Sequence, residues 1–126
     1  MKFLADYTND PQTQLFKDTG AFFAFGNKQF LEARVEGVKY LSVGGGLYCP
    51  KENYDQLEKG LEKIQQEGIK QDIEENGIDN IIQRELYNYE SFYTGDYSNA
   101  VEALEQYNIT EEQVSKMFYQ ILPTVD

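Results

Sequence analysis

Carboxylates and tyrosines are concentrated between Gln71 and Ser115, and these side chains are the best suited in the chain to chemistry or binding. The stretch holds eleven acids and a single base, Arg84. Its acids are Asp72, Glu74, Glu75, Asp79, Glu85, Glu90, Asp96, Glu102, Glu105, Glu111 and Glu112. A field of this sign repels phosphate backbones and attracts basic surfaces. The stretch therefore predicts a protein partner with a basic groove, and no direct binding to DNA.

Tyrosines accompany these acids, and this combination is typical of a protein-binding surface. Aromatic rings provide contact area while carboxylates steer a basic partner into place. Tyr87, Tyr97 and Tyr107 fall outside the predicted apolar stripes, so we expect them at the surface; Tyr89 and Tyr93 fit a buried stripe, and Tyr93 is also a candidate anchor. The predicted partner-binding residues are Asp79, Glu85, Tyr87, Glu90, Tyr93, Asp96, Tyr97, Glu102, Glu105 and Tyr107.

Two other interpretations of the same acids stay open. Carboxylates three or four residues apart on a helix lie about 5–6 Å from each other, which approaches the spacing of successive phosphates and favours mimicry of nucleic acid. The plainer interpretation is a solvated acidic face that serves solubility.

Catalytic chemistry finds little support in the sequence. The chain contains no histidine, which removes the commonest general base and the usual partner of a serine or cysteine nucleophile. The lone Cys49 lies near a predicted helix start, where the helix dipole would stabilise a thiolate, but a buried cysteine that packs as a small apolar residue is the preferred interpretation. Adjacent acids such as Glu74 and Glu75 point in different directions on a helix and do not converge on one metal. We expect no enzyme activity, no cofactor and no metal.

Two further motifs have simpler explanations. Gly44-Gly45-Gly46 invites comparison with phosphate-binding loops, but three residues separate it from the next helix and no Lys-Ser/Thr follows, so it predicts a turn between strands. The segment Ala100–Ile121 superficially matches a helix-turn-helix. Its second helix opens on Thr110-Glu111-Glu112-Gln113, and these acids would oppose phosphate contacts, so the motif predicts core packing or a protein contact.

The amino-terminal half has the pattern of a small α+β unit. Asn9-Asp10-Pro11 predicts the start of a first helix that Gly20 ends. Ala21–Phe25 predicts a short buried strand, and a second helix follows from Asn27 to about Glu36 with Phe30 and Leu31 inward. Alternation in Val38–Val43 predicts a strand, with Leu47–Cys49 as its partner.

The carboxy-terminal half predicts helices alone. A third helix runs from Pro50 to a cap at Gly68, and a short one from Ile69 to Asn76-Gly77. Asp79 caps the next helix, whose apolar stripe is Ile82, Leu86, Tyr89 and Tyr93. Asp96 caps another, and Thr110 with Gln113 forms a capping box for the last.

Together these elements predict the α+β class: short amino-terminal helices with a hairpin or three-stranded sheet, then a helical half. We expect a single domain over residues 1–126. Residues 1–50 hold five acids and five bases, whereas residues 51–126 hold seventeen acids and six bases and carry the whole net charge of −11. The amino terminus has no signal pattern, no apolar run reaches the roughly 20 residues that span a bilayer, and one cysteine suits a reducing compartment. We expect a cytoplasmic protein that does not bind membranes.

Three segments carry a resemblance to known proteins: Gly20–Phe30, Gly45–Pro50 and Glu85–Glu90. Over most of its length the chain resembles small uncharacterised proteins of bacteriophages and integrated elements. In size and charge it is similar to inhibitors of host defence, including anti-CRISPR and anti-restriction proteins. The resemblance implies a phage-encoded inhibitor in the host cytoplasm, with a Cas nuclease or a restriction complex as its partner. A phage structural or assembly protein that forms a homo-oligomer is the alternative.

Overall fold

The computed structural model describes residues 1–125 and has the predicted α+β class, with a three-stranded antiparallel sheet followed by a helical half. The chain forms two compact units, one of Lys2–Gly68 and one of the residues from Ile69 onward. No helix within residues 1–125 is both long and apolar enough to span a membrane.

The first unit contains the sheet and the early helices. Its elements are α1 (Leu4–Thr19), β1 (Phe22–Phe23), α2 (Asn27–Ala33), β2 (Tyr40–Gly44), β3 (Leu47–Pro50) and the greater part of α3 (Tyr54–Asn76). The strands lie in the order β1-β3-β2 with antiparallel pairing, so the predicted hairpin and third strand are confirmed. Cys49 and Leu57 are fully buried in the core of this unit, with Ala21 and Leu47 beside them.

Helix α1 begins earlier than the sequence predicts. The carboxylate of Asp6 accepts a hydrogen bond from the Phe3 amide at 2.8 Å, which satisfies one donor at the helix start. Pro11 consequently lies inside the helix and not at its first position, so the predicted start was wrong. A proline there removes one backbone hydrogen bond but leaves the rest of the ladder intact. Gly20 ends the helix in a left-handed conformation, as predicted.

Helix α3 continues through Gly68, where the sequence predicts an end. A Cβ at Gly68 would lie 2.7 Å from Cγ2 of Thr8, and one at Gly60 would lie 2.7 Å from the methyl groups of Leu15. These glycines therefore permit close packing of α1 against α3. The predicted third helix and the short helix after it are one helix of 23 residues.

Aromatic side chains on the sheet are less buried than the sequence predicts. Phe22, Phe30, Tyr40 and Tyr48 form one cluster of ring contacts. Phe23 and Phe25 are exposed and stack with their centroids 6.3 Å apart, so the prediction that Ala21–Phe25 is buried holds only in part. Leu31 on α2 is exposed too, so the prediction that it faces inward was wrong. Helix α2 ends at Ala33, short of the predicted Glu36.

Gly45 and Gly46 form the hairpin turn between β2 and β3, directly after Gly44 at the end of β2. Gly44, Gly45 and Gly46 all have positive φ values of 103°, 61° and 84°, which favour glycine. A Cβ on Gly46 would lie 2.6 Å from the ring of Phe25. The run is therefore a strand connection, as predicted.

The second unit is helical. It contains α4 (Ile78–Asn88), α5 (Ser91–Thr94), α6 (Ser98–Leu104) and α7 (Glu111–Ile121) together with the end of α3. The buried side chains include Ile81, Leu86, Leu104, Val114 and Phe118, so the helix-turn-helix-like segment packs a core. The predicted capping box is confirmed, because Thr110 Oγ1 accepts from the Gln113 amide at 3.2 Å and Gln113 Oε1 accepts from the Thr110 amide at 2.8 Å.

The apolar stripe of α4 ends with the helix at Asn88. Glu90 adopts a left-handed conformation with φ 54°, which breaks the helical spacing that the sequence pattern extends to later residues. As a result Tyr89 is exposed and Tyr93 is 91% exposed, and the prediction that these rings are buried was wrong.

Candidate functional site

A buried ionic cluster organises the second unit. Arg84 on α4 donates from Nη1 and Nη2 to the two carboxylate oxygens of Asp72 on α3, at 2.8 and 2.9 Å. Its Nε donates to Oε1 of the adjacent Glu85 at 2.9 Å. Tyr107, in the 3-10 turn after α6, donates its hydroxyl to Asp72, and Asn76 donates its amide to the same carboxylate at 2.7 Å. The cluster thus joins three helical segments through fixed charge-assisted hydrogen bonds.

The pKa values in this cluster follow from burial and pairing. Burial alone would raise the pKa of the Asp72 carboxyl, but hydrogen bonds from Arg84, Tyr107 and Asn76 outweigh it and hold that pKa below its usual range. Burial works against the charged guanidinium, yet the hydrogen bonds to Asp72 and Glu85 raise the pKa of Arg84. Burial and the neighbouring Asp72 charge both raise the pKa of Tyr107. The cluster is therefore a paired ionic unit at neutral pH.

Burial of Arg84 leaves the surface of the 71–115 stretch without a positive charge. Its side chain is only 4% exposed and is neutralised by Asp72 and Glu85. These two acids are buried, and the other nine acids of the stretch are exposed. The ionic cluster thus removes the stretch's single base from solvent. We call the nine exposed carboxylates the acidic surface.

This unit has a groove at the junction between the end of α4 and the start of α5. It encloses about 450 Å³ and is lined by Tyr87, Glu90, Phe92, Tyr93 and Val125. We call it the aromatic groove. The Phe92 ring stacks on the buried Phe118 ring with the centroids 5.2 Å apart, and the Tyr87 ring packs on Phe92 at 4.9 Å. The Tyr87 and Phe92 rings of the groove are therefore positioned by the contact between Phe92 and the core residue Phe118.

Glu90, which lines this groove, has a strained backbone. Its φ of 54° and ψ of 33° are left-handed values that residues other than glycine rarely adopt. Its amide donates to the Tyr87 carbonyl at 3.1 Å, and its own carbonyl accepts from the Tyr93 amide at 3.0 Å. These bonds hold the turn that links Tyr87 to Tyr93. Strain of this kind is often retained where a side chain must be presented.

The predicted partner-binding residues separate into two groups. The exposed ones are Asp79, Tyr87, Glu90, Tyr93, Asp96, Glu102 and Glu105, and Tyr97 is partly buried against the Phe118 ring. Of these, Tyr87, Glu90 and Tyr93 come together in the aromatic groove. Asp96 was predicted to cap the next helix, but Tyr97 occupies the N-cap of α6 and Asp96 lies one residue before it. Its carboxylate still accepts from the Ser98 amide at 2.9 Å, and this bond lowers the pKa of Asp96.

Glu85 and Tyr107 are corrections to the predicted surface. Both side chains are buried because they belong to the cluster around Arg84, so neither lies on the exposed surface where the sequence placed it. Tyr107 was expected at the surface from its place at a helix end, but its hydroxyl has a carboxylate partner inside. Sequence reasoning also missed Phe92 and Val125 in the groove. The sequence contains one signal for the buried ion pair, which is the presence of a single base, Arg84, among the eleven acids of residues 71–115.

The remaining candidates are structural. Cys49 is fully buried, and burial raises the pKa of its thiol, which opposes a nucleophilic thiolate. Among residues 1–125, no group of three or more histidine, cysteine or acidic side chains is arranged to hold a metal ion.

Comparisons with known proteins give a family without an assigned activity. Residues 4–122 match the model of a family described as a family of unknown function, DUF7659. No curated protein and no solved structure matches the chain.

Proposed function

The chain belongs to DUF7659, a family of unknown function, and we propose that it is a non-enzymatic, phage-encoded inhibitor of a bacterial defence nuclease. It binds a basic, nucleic-acid-handling groove of the effector in the host cytoplasm. A CRISPR effector is the first target class and a restriction complex the second. Binding there blocks the guide or target nucleic acid from the same groove.

This proposal rests on one observation: the single base of residues 71–115, Arg84, is buried in the core and is not exposed on the acidic surface. Arg84 is buried and paired with Asp72 and Glu85. The nine exposed carboxylates of residues 71–115 are therefore not neutralised by any base of the same stretch. Such a surface steers a basic partner over a Debye length of about 8 Å at physiological salt. Tyr87 and Tyr93 supply exposed aromatic area beside it. The phage setting rests on the sequence resemblance.

Charge reversal tests the acidic surface against net charge. Glu90, Glu102 and Glu105 are exposed acids of the surface, and Glu32, Glu36 and Glu58 are exposed acids of the first unit. Each change to lysine adds two units, so both triple variants carry −5 in place of −11. Association with a purified effector nuclease is measured at low and high salt. We expect the first variant to associate at least about tenfold more slowly and with a flatter salt dependence. Equal rates for the two variants would contradict the proposal.

A second candidate function is a phage assembly protein that acts as a homo-oligomer, and exposed phenylalanines favour it. Phe23 and Phe25 stack on each other at the surface of the first unit, 53% and 74% exposed. Exposed aromatic side chains of this size often mark contact sites. Analytical ultracentrifugation distinguishes the two functions: a stable oligomer that Phe25→Ser dissociates favours assembly, and a monomer at high concentration rejects it.

A further inference from the structure

The aromatic groove has the features of a site for one cationic side chain. Tyr87 and Tyr93 present exposed rings on either side of Glu90, and Phe92 and Val125 add apolar lining. Its volume of about 450 Å³ lies within the range of about 300–1,000 Å³ that is usual for small-ligand sites. An apolar groove with a single carboxylate favours an occupant that is both apolar along its length and positively charged at its end.

The charge of Glu90 is available to such an occupant. None of the side-chain hydrogen bonds and ion pairs described for residues 1–125 involves the Glu90 carboxylate. Its backbone is hydrogen-bonded to the backbones of Tyr87 and Tyr93, and all three residues line the same groove. The other exposed carboxylates of the acidic surface add an attractive field for a positive group.

We propose that the aromatic groove binds an arginine side chain presented by a basic segment of the partner protein. A guanidinium is planar and weakly hydrated, so it stacks on a tyrosine face and at the same time donates two hydrogen bonds to one carboxylate. Lysine offers only a compact, strongly hydrated ammonium and gains less from the rings. The identity of the partner as a nuclease rests on the proposed function; the arginine site rests on the groove.

Two labelled peptides of equal length and charge test the proposal directly. One carries arginines separated by glycines, and in the other each arginine is replaced by lysine. Fluorescence anisotropy gives the affinity of the full chain for each at matched salt. We expect the arginine peptide to bind at least about twofold more tightly, because a lysine ammonium also makes a cation–π contact but gains less from it and cannot donate two parallel hydrogen bonds to Glu90. Equal affinities would overturn the proposal.

Matched variants locate the preference. Tyr93→Leu removes the ring from a side chain that is 91% exposed, so the fold is retained, and the arginine preference should disappear. Tyr93→Phe keeps the ring and should keep the preference. Glu90→Gln should weaken arginine binding more than Glu102→Gln, which removes the same charge outside the groove. An arginine preference that survives both Tyr93→Leu and Glu90→Gln would place the site elsewhere and overturn the proposal.

The outcomes also separate this inference from the proposed function. An arginine preference without inhibition of any defence nuclease supports the groove and rejects the nuclease as partner. Inhibition of a nuclease with equal affinity for the two peptides supports the acidic surface and rejects the arginine site. A dimer in solution that Arg34→Gln dissociates would identify a second copy as the occupant, since Arg34 is the chain's other arginine and is exposed.

Discussion

Replacing Arg84 by methionine should destabilise the protein more than any surface change. The substitution removes three charge-assisted hydrogen bonds of 2.8–2.9 Å and leaves the carboxylates of Asp72 and Glu85 without their cation, at 0% and 11% exposure. Hydrogen bonds of this kind contribute about 1.5–3 kcal/mol each to the free energy of unfolding. The sum of three would overestimate the contribution of the cluster, because all three share the desolvation cost of one cation. Breaking a buried pair by removing one partner costs about 3–5 kcal/mol. We expect a loss in this range.

Urea unfolding followed by far-UV circular dichroism measures this loss, and the chain contains a matched control. Lys63 pairs with Glu67 at 3.9 Å on the surface of α3, where both side chains are more than half exposed. Lys63→Met should leave the free energy of unfolding within about 0.5 kcal/mol. The double variant Asp72→Leu with Arg84→Met should recover part of the loss, since an apolar pair replaces an ionic one. A cost below about 1 kcal/mol for Arg84→Met would refute the buried cluster.

Three further predictions concern single side chains. Because the pKa of Asp72 is lowered on folding, its stabilising effect is present above about pH 4, the ordinary pKa of an aspartate, and is lost as the pH falls through the lower folded-state pKa. The stability difference between the wild type and Asp72→Asn should therefore shrink as the pH falls below about 4, and a constant difference would contradict this. Tyr107→Phe removes the hydroxyl donor to Asp72 and should cost about 1.5–3 kcal/mol in urea unfolding, whereas the exposed Tyr119→Phe should cost almost nothing. Gly68→Ala places a Cβ 2.7 Å from Cγ2 of Thr8 and should lower the melting temperature, although alanine is the better helix former. A higher melting temperature would show that α1 moves away enough to accommodate the added methyl group.

Local signals in the sequence were sufficient for most of the fold. The capping box at Thr110, the glycine turn at Gly44–Gly46 and the left-handed cap at Gly20 are short-range features, and each is present as predicted. Gly68 was misinterpreted as a helix end because its role depends on Thr8, which is distant in sequence. A glycine that follows a helical pattern therefore has two different roles in this chain: Gly20 ends α1, whereas Gly68 lies within α3 and allows α1 to pack closely.

The candidate site was predictable in its charge but not in its geometry. The excess of acids was evident from composition, and Tyr87, Glu90 and Tyr93 were among the expected binding residues. The turn at Glu90 was not evident, because a left-handed glutamate has no sequence signature. Without that turn, Tyr93 follows the apolar stripe of α4 and would be buried. Glu85 and Tyr107 were misassigned for the converse reason, since their partners Arg84 and Asp72 are buried with them in the ionic cluster.

We propose that the acidic surface inhibits a defence nuclease by occupying its nucleic-acid groove. DNA cleavage by purified CRISPR effector and restriction complexes tests this proposal, with the protein added before or after the nucleic acid. We expect stoichiometric inhibition when the protein is added first, reduced inhibition when the nucleic acid already fills the groove, and loss of inhibition in the variant reversed at Glu90, Glu102 and Glu105. Unchanged cleavage by every effector at saturating protein would contradict the account.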